Sequence, residues 1–109
     1  VILTGATDGI GKVMARTLSS YKPKRLILPI RNREKGQLLL DYIQSSNDGK
    51  VECIELWDLD LTKLNSVKSF CDKFISEVDE LHYLFNNAGI VKPNAPPTMT
   101  VDGYEEQFQ

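Results

Sequence analysis

The sequence predicts an α/β protein, the first half of a doubly wound parallel sheet, on three observations. Strand-like and helix-like segments alternate along the 109 residues in the order β-α-β-α-β-α-β-loop-α. The helical segments are long enough to serve as crossovers between parallel strands, and such crossovers are right-handed. The chain also crowds glycines at positions 5, 9 and 11 between its first apolar run and its first amphipathic stretch. That choice costs backbone entropy, so a local requirement must lie behind it.

Each element has its own signal. Val1–Leu3 is a short apolar run, and from Gly9 to Ser20 the residues Ile10, Val13, Met14 and Leu18 recur at helical spacing, with Pro23 closing the helix. Arg25–Ile30 (RLILPI) reads as a buried strand. Its Pro29 cannot donate to a sheet ladder and should sit at the strand's end. A second helix runs from Glu34 to Ser46 and stops at the turn residues Asn47, Asp48 and Gly49. Val51–Leu56 (VECIEL) alternates as a strand. Val67, Phe70, Cys71, Phe74, Ile75 and Val78 then form the cleanest helical stripe in the chain. Tyr83–Phe85 is a fourth strand running into NNAG, Ile90–Thr100 is a proline-rich loop, and a further helix is expected to start within Val101–Gln109. The first strand is shorter than the usual five or so residues, and the last helix stops as it begins. We therefore expect residues 1–109 to be the N-terminal part of a single nucleotide-binding domain, truncated at both ends.

Composition narrows the function. Of the residues, 41% are hydrophobic and 26% charged, and 13 basic against 15 acidic side chains give a formal charge of −2. That balance lacks the basic signature of nucleic-acid binding. Cys53 and Cys71 show no CxxC spacing and read as buried free thiols of a reducing compartment. No Cys, His or carboxylate cluster has metal-ligand spacing, and no apolar run approaches a membrane span. The chain opens on valine, without a visible signal peptide. The expected location is the cytoplasm or the cytosolic face of an intracellular membrane. Membrane association itself is left open by the sequence.

In doubly wound sheets, ligands bind at the carboxyl ends of the strands, and the first βα turn receives the pyrophosphate of a dinucleotide. There Gly5 would turn the chain sharply out of the first strand, and Gly9 would let backbone N–H groups approach phosphate. Gly11 would let the helix pack close to the sheet. The spacing is G-x-x-x-G-x-G rather than the common G-x-G-x-x-G. With Thr4-Gly5-Ala6-Thr7-Asp8-Gly9-Ile10-Gly11 and Asn86-Asn87-Ala88-Gly89 in hand, the chain resembles the short-chain dehydrogenase/reductase family. That family's motifs are TGxxxGxG and NNAG, with an acid followed by a hydrophobic residue after the third strand, here Asp60-Leu61. The stretches IRNREKG and LDLTKLNSVKSF are most similar to the branch containing retinol dehydrogenases and their microbial and fungal relatives.

The resemblance implies a Rossmann-type sheet and a set of roles. Gly5, Thr7, Asp8, Gly9, Ile10 and Gly11 match the pyrophosphate turn. Asp60 matches the acid that bonds the adenine amino group, with Leu61 near the ring. Asn87, Ala88 and Gly89 match the backbone lining the adenosine ribose, and Asn86 matches an asparagine that ties neighbouring strands together. NAD sites carry an acid at the end of the second strand, and NADP sites an arginine. Here Ile30-Arg31-Asn32-Arg33 offers no acid before Glu34. Arg31 has the planar fork that suits a 2′-phosphate, so the cofactor expected is NADP rather than NAD. Asp8 dissents, because an acid near that phosphate would repel it.

The implied activity is interconversion of a carbonyl and an alcohol by hydride transfer, on a retinoid, steroid, lipid or other small aldehyde or ketone. The family's tyrosine and lysine, spaced Tyr-x-x-x-Lys, are absent: Tyr21, Tyr42, Tyr83 and Tyr104 precede Arg25, Ser46, Asn87 and Phe108 at that spacing. The family places this pair later in the chain, so no catalytic residue is assigned and the 109 residues alone are expected to be inactive. Oligomerisation, where it occurs in the family, would use parts outside this stretch. Two alternatives stay open, a non-catalytic NADP-binding sensor and a distant Rossmann enzyme such as a nucleotide-sugar epimerase. The epimerases prefer G-x-x-G-x-x-G at the first turn and seldom carry NNAG.

Overall fold

The computed structural model describes residues 1–46 and 51–109. The turn expected at Asn47, Asp48 and Gly49 lies outside the described residues. The elements run β1 (Ile2–Leu3), α1 (Gly9–Ser20), β2 (Leu26–Ile30), α2 (Arg33–Gln44), β3 (Ile54–Asp58), α3 (Leu64–Glu77) and β4 (Leu84–Phe85). These four strands pair in parallel in the order β3-β2-β1-β4. The chain therefore reverses its winding at β1, and the crevice between the ends of β1 and β4 lies at that switch.

Alternation along the strands divides the core in two. Leu3, Leu26 and Leu28 point to one face and pack with Ala6, Ala15 of α1 and Leu39 and Ile43 of α2. Ile2 and Ile27 point to the other, where Trp57, Leu59 and Phe70 join them with Val67, Phe74 and Val78 at the edge. Helices α1 and α2 thus cover one face and α3 the other. This explains why all five residues of β2 are buried. At the far end of that strand, Arg25 grips Glu55 through two bonds of 2.6 and 2.9 Å and donates to the Glu77 carbonyl, which fastens the end of α3 to β2 and β3.

Several elements depart from the sequence reading. Pro29 lies inside β2, where it pairs in register with Trp57. Ile27 N–H points to β1, bonding the Val1 carbonyl at 2.9 Å, so Pro29, two residues on, faces the same side. There only Leu3 of β1 remains before the glycine turn, so the missing N–H forgoes a single ladder bond at the end of the β1–β2 pairing. Strand β3 begins at Ile54 rather than at Val51, because its partner β2 starts at Leu26 and fixes the register. The stripe on α3 is narrower than expected: Phe70 is buried, but Cys71 is exposed and Ile75 is 77% exposed. Cys53 is only half-buried, so neither thiol is sealed in a core. On α1 the seam against the sheet is Gly11, Ala15 and Ser19, while Ile10 and Val13 are exposed. Small side chains at that seam bring the helix close and leave its larger residues to the side.

The helix expected within 101–109 does not form. Gly103 sits at φ +83°, and Met99 pairs with Glu105 in an antiparallel bridge. The polar side chains of the segment bond locally instead. Thr100 donates to Gln109 at 2.6 Å, and Asp102 accepts from Leu64 N–H at 2.7 Å, capping α3 from outside. No helix among the described residues is long and apolar enough to cross a membrane.

Candidate functional site

Thr4 organises the crevice. It is the last residue before the glycine turn and is buried, so its hydroxyl must find partners. It finds three: Oγ1 donates to the Phe85 carbonyl at 3.3 Å and accepts from the N–H groups of Asn87 (3.1 Å) and Ala88 (3.0 Å). These exhaust its hydrogen-bonding capacity and hold the chain leaving β4 against the chain leaving β1. The Asn87 side chain adds a second tie, donating from Nδ2 to the carbonyls of Thr4 (3.1 Å) and Gly5 (3.2 Å). Sequence reading gave the tie between strands to Asn86, which is exposed; the structure gives it to Asn87. Asparagine side chains can bond either way from a strand end, so only the register of β4 separates the two. Thr4 itself was missed, although a hydroxyl next to a glycine turn at a buried strand end was a readable signal.

The glycines fall into two kinds. Gly5 has φ +66°, and a Cβ there would lie 2.8 Å from the Ala88 Cα. A Cβ on Gly11 would lie 2.0 Å from the Gly5 carbonyl oxygen and 2.6 Å from Asn87 Nδ2. Both positions are closed by backbone, so Gly5 and Gly11 allow the turn, the helix and the Asn86–Gly89 segment to touch. Gly9 (φ +52°) and Gly89 are open, with no atom within 4 Å of an added Cβ. Their bare backbone faces free space.

Helix α1 starts at that open side. Its first ladder bond runs from Lys12 N–H to the Asp8 carbonyl, so the amides of Gly9, Ile10 and Gly11 precede the intrahelical bonds. Asp8 occupies the N-cap in an extended conformation, yet its carboxylate makes no capping bond. It reaches instead to Lys35 Nζ on α2, at 3.3 Å. Donors and helix dipole together leave a site suited to an anion.

The turn and the start of α1 line one groove of about 900 Å³. The glycine turn contributes Gly5, Thr7, Asp8, Gly9, Ile10 and Gly11, the end of β2 contributes Arg31, and the end of β3 contributes Asp60 and Leu61. The chain after β4 adds Asn87, Ala88 and Gly89. Every site residue singled out in the sequence except Asn86 therefore lines this one groove. The sequence did not point to Pro29 and Ile30, nor to residues 106–109 at the rim.

Charge is distributed unevenly around it. Arg33 pairs with Asp58 at 2.8 Å and Lys35 with Asp8, but among the described residues no acid pairs with Arg31. Asp60 Oδ1 accepts from the Thr62 hydroxyl (2.6 Å) and the Thr62 N–H (3.0 Å). Those bonds, with Lys63 nearby, hold its carboxyl below the usual carboxylate range. Asp60 is thus a fixed, ionised acceptor at the groove wall. His82 is exposed and pairs with Glu80, and Trp57 packs under α3 rather than lining the groove.

A family model described as short chain dehydrogenase matches residues 1–109. Among curated proteins, the chain is 37% identical over 105 residues to retinol dehydrogenase 11 of Homo sapiens, covering 96% of this chain and 31% of that protein. It is 35% identical over 108 residues to retinol dehydrogenase 12 of Mus musculus, covering 99% and 33%. The chain spans about a third of the length of the curated relatives it matches. Among solved structures, it resembles a metagenomic short-chain oxidoreductase in complex with NADP, at TM-score 0.67 and 29% identity over 83% of this chain and 38% of that one. Menthone neomenthol reductase from Mentha piperita matches at TM-score 0.66 and 27% identity, over 82% and 31%.

Proposed function

The chain belongs to the short-chain dehydrogenase family, and we propose that it forms the cofactor-binding part of an NADP(H)-dependent oxidoreductase that interconverts a small carbonyl compound and its alcohol. The observation that carries the cofactor choice is Arg31. It stands at the end of β2, borders the groove, and has no acidic partner among the described residues. An acid at that position would favour a free ribose 2′-hydroxyl, and an unpaired guanidinium favours a 2′-phosphate. A structural neighbour whose title names a complex with NADP agrees with this reading.

The residues present fit a dinucleotide. Gly9 and Gly89 offer backbone that a Cβ would otherwise cover, and the amides opening α1 are free to meet pyrophosphate. In this reading Asp60 accepts from the adenine amino group, Leu61 packs beside the ring, and Ala88 and Gly89 leave room for the ribose. Thr7, Asp8 and Ile10 shape the turn around the pyrophosphate. When bound, the nicotinamide ring supplies or receives the hydride. The proton donor belongs to a part of the protein outside these 109 residues, as does the substrate pocket. Retinoids are the first substrate class to test, because retinol dehydrogenases are among the relatives.

The test is a pair of equilibrium titrations on the full-length protein, following NADPH and NADH fluorescence. A charge-assisted phosphate contact is worth about 1.5–3 kcal/mol, so NADPH should bind roughly ten- to hundredfold more tightly. Arg31→Asp should reverse or erase that preference. Equal dissociation constants for the two cofactors in the unsubstituted protein would refute the NADP assignment.

A further inference from the structure

We infer that Lys35 is a positioning residue for the dinucleotide, acting through Asp8: it draws the one carboxylate of the glycine turn away from the amides that open α1. The inference rests on the dinucleotide reading of the groove. An aspartate at an N-cap ordinarily turns its carboxylate over the first helical N–H groups, and Asp8 has the extended backbone (φ −139°, ψ 161°) from which to do so. Those amides are the donors a pyrophosphate needs, and a carboxylate seated on them would both occupy them and repel the phosphate. The side chain makes no such bond. Its Oδ2 meets Lys35 Nζ at 3.3 Å and accepts weakly from the Thr7 hydroxyl at 3.5 Å.

The placement of Lys35 fits that task better than a stabilising one. Asn32 caps α2 by accepting from Lys35 N–H at 3.0 Å, which puts Lys35 in the first turn. A cation there opposes the helix dipole. The pair is also open to water, with the Lys35 and Asp8 side chains 57% and 75% exposed, and such pairs add little to folding stability. What the pair does accomplish is geometric. It links α2 to the glycine turn and offsets the charge at position 8.

A double-substitution cycle on the full-length protein tests this, with dissociation constants for NADPH and NADH as the readout and thermal unfolding as the control. Lys35→Ala should weaken both cofactors about three- to tenfold, because the pyrophosphate is common to both. Lys35→Arg should restore binding. In an Asp8→Ala background, where no carboxylate remains to be drawn away, Lys35→Ala should have no further effect on either dissociation constant. A Lys35→Ala loss confined to NADPH that persists beside Asp8→Ala would overturn the inference, since Lys35 would then meet the 2′-phosphate directly. No loss in either background would also overturn it and leave an ordinary surface ion pair. Failure of the NADP assignment looks different: the unsubstituted protein would bind both cofactors equally, and the cycle would still report on Lys35.

Discussion

Two alanine substitutions two positions apart, Gly9→Ala and Gly11→Ala, should separate binding from folding within one turn. At Gly11 the new methyl would sit 2.0 Å from the Gly5 carbonyl oxygen. That obstacle is backbone, so α1 or the turn must retreat, at a cost of about 1–3 kcal/mol or more by analogy with overpacked cores. The retreat would also strain the Asn87 bonds to Thr4 and Gly5. At Gly9 the methyl has open space, and the penalty is that of a left-handed alanine at φ +52°, about 1–2 kcal/mol. Its methyl faces the groove where phosphate would approach the free amides. Gly9→Ala should therefore lose one charge-assisted contact, or roughly ten- to hundredfold in NADPH affinity, while most of its stability survives. The assay is urea unfolding together with NADPH titration of the full-length protein. A Gly9→Ala variant with unchanged NADPH affinity, or a Gly11→Ala variant as stable as the unsubstituted protein, would refute this division.

Other consequences follow from the same structure. Trp57 is 4% exposed and meets Phe70 and Phe74 edge-on at 5.5 and 6.4 Å, so Trp57→Ala should cost about 3–5 kcal/mol in chemical denaturation; a loss below 1 kcal/mol by the same principle of core truncation would contradict the packing. Stability should fall in acid, because the bond from Arg25 holds the Glu55 carboxyl below its ordinary value of 4.5, and the Thr62 hydroxyl holds Asp60 below 3.8. A carboxyl depressed in the folded state contributes stability above its unfolded value and loses it as pH drops through the folded one. Glu55→Gln should flatten the part of the urea-stability slope below about pH 4.5 that belongs to this group, and a slope as steep as before would count against the Arg25 pairing. Finally, Tyr→Phe at positions 21, 42, 83 or 104 should leave turnover of the full-length protein intact; a loss of turnover with unchanged NADPH binding would place the proton donor here after all.

Much of the fold was legible because each signal was local. The three long helices announced themselves by period, and β2 by an apolar run that needed cover on both faces. The grouping of the Gly5–Gly11 turn, Arg31, Asp60-Leu61 and Asn87–Gly89 at one crevice followed from topology and from the family resemblance. What was not legible depended on partners distant in sequence. The start of β3 was set by β2, and the cost of Pro29 was held to one ladder bond by the end of β1 at Leu3. Exposure of Cys71, Ile75, Ile10 and Val13 was decided by how closely each helix sits on the sheet, which periodicity alone does not report. The expected final helix gave way because Gly103, Thr100, Asp102 and Gln109 found better bonds in a turn docked on α3. At the site, Thr4 and the Asp8–Lys35 pair were hidden for the same reason: their meaning lies in contacts spanning about 30 to 80 residues.

The most direct measurement is a crystal structure of the full-length protein with NADP+. It should show the pyrophosphate against the amides of Gly9 and Ile10, and the 2′-phosphate within hydrogen-bonding distance of the Arg31 guanidinium. The adenine should lie between Asp60 and Leu61, with the ribose beside Ala88 and Gly89. A dinucleotide bound away from this groove, or one lying in it with its 2′-phosphate turned from Arg31, would contradict the account.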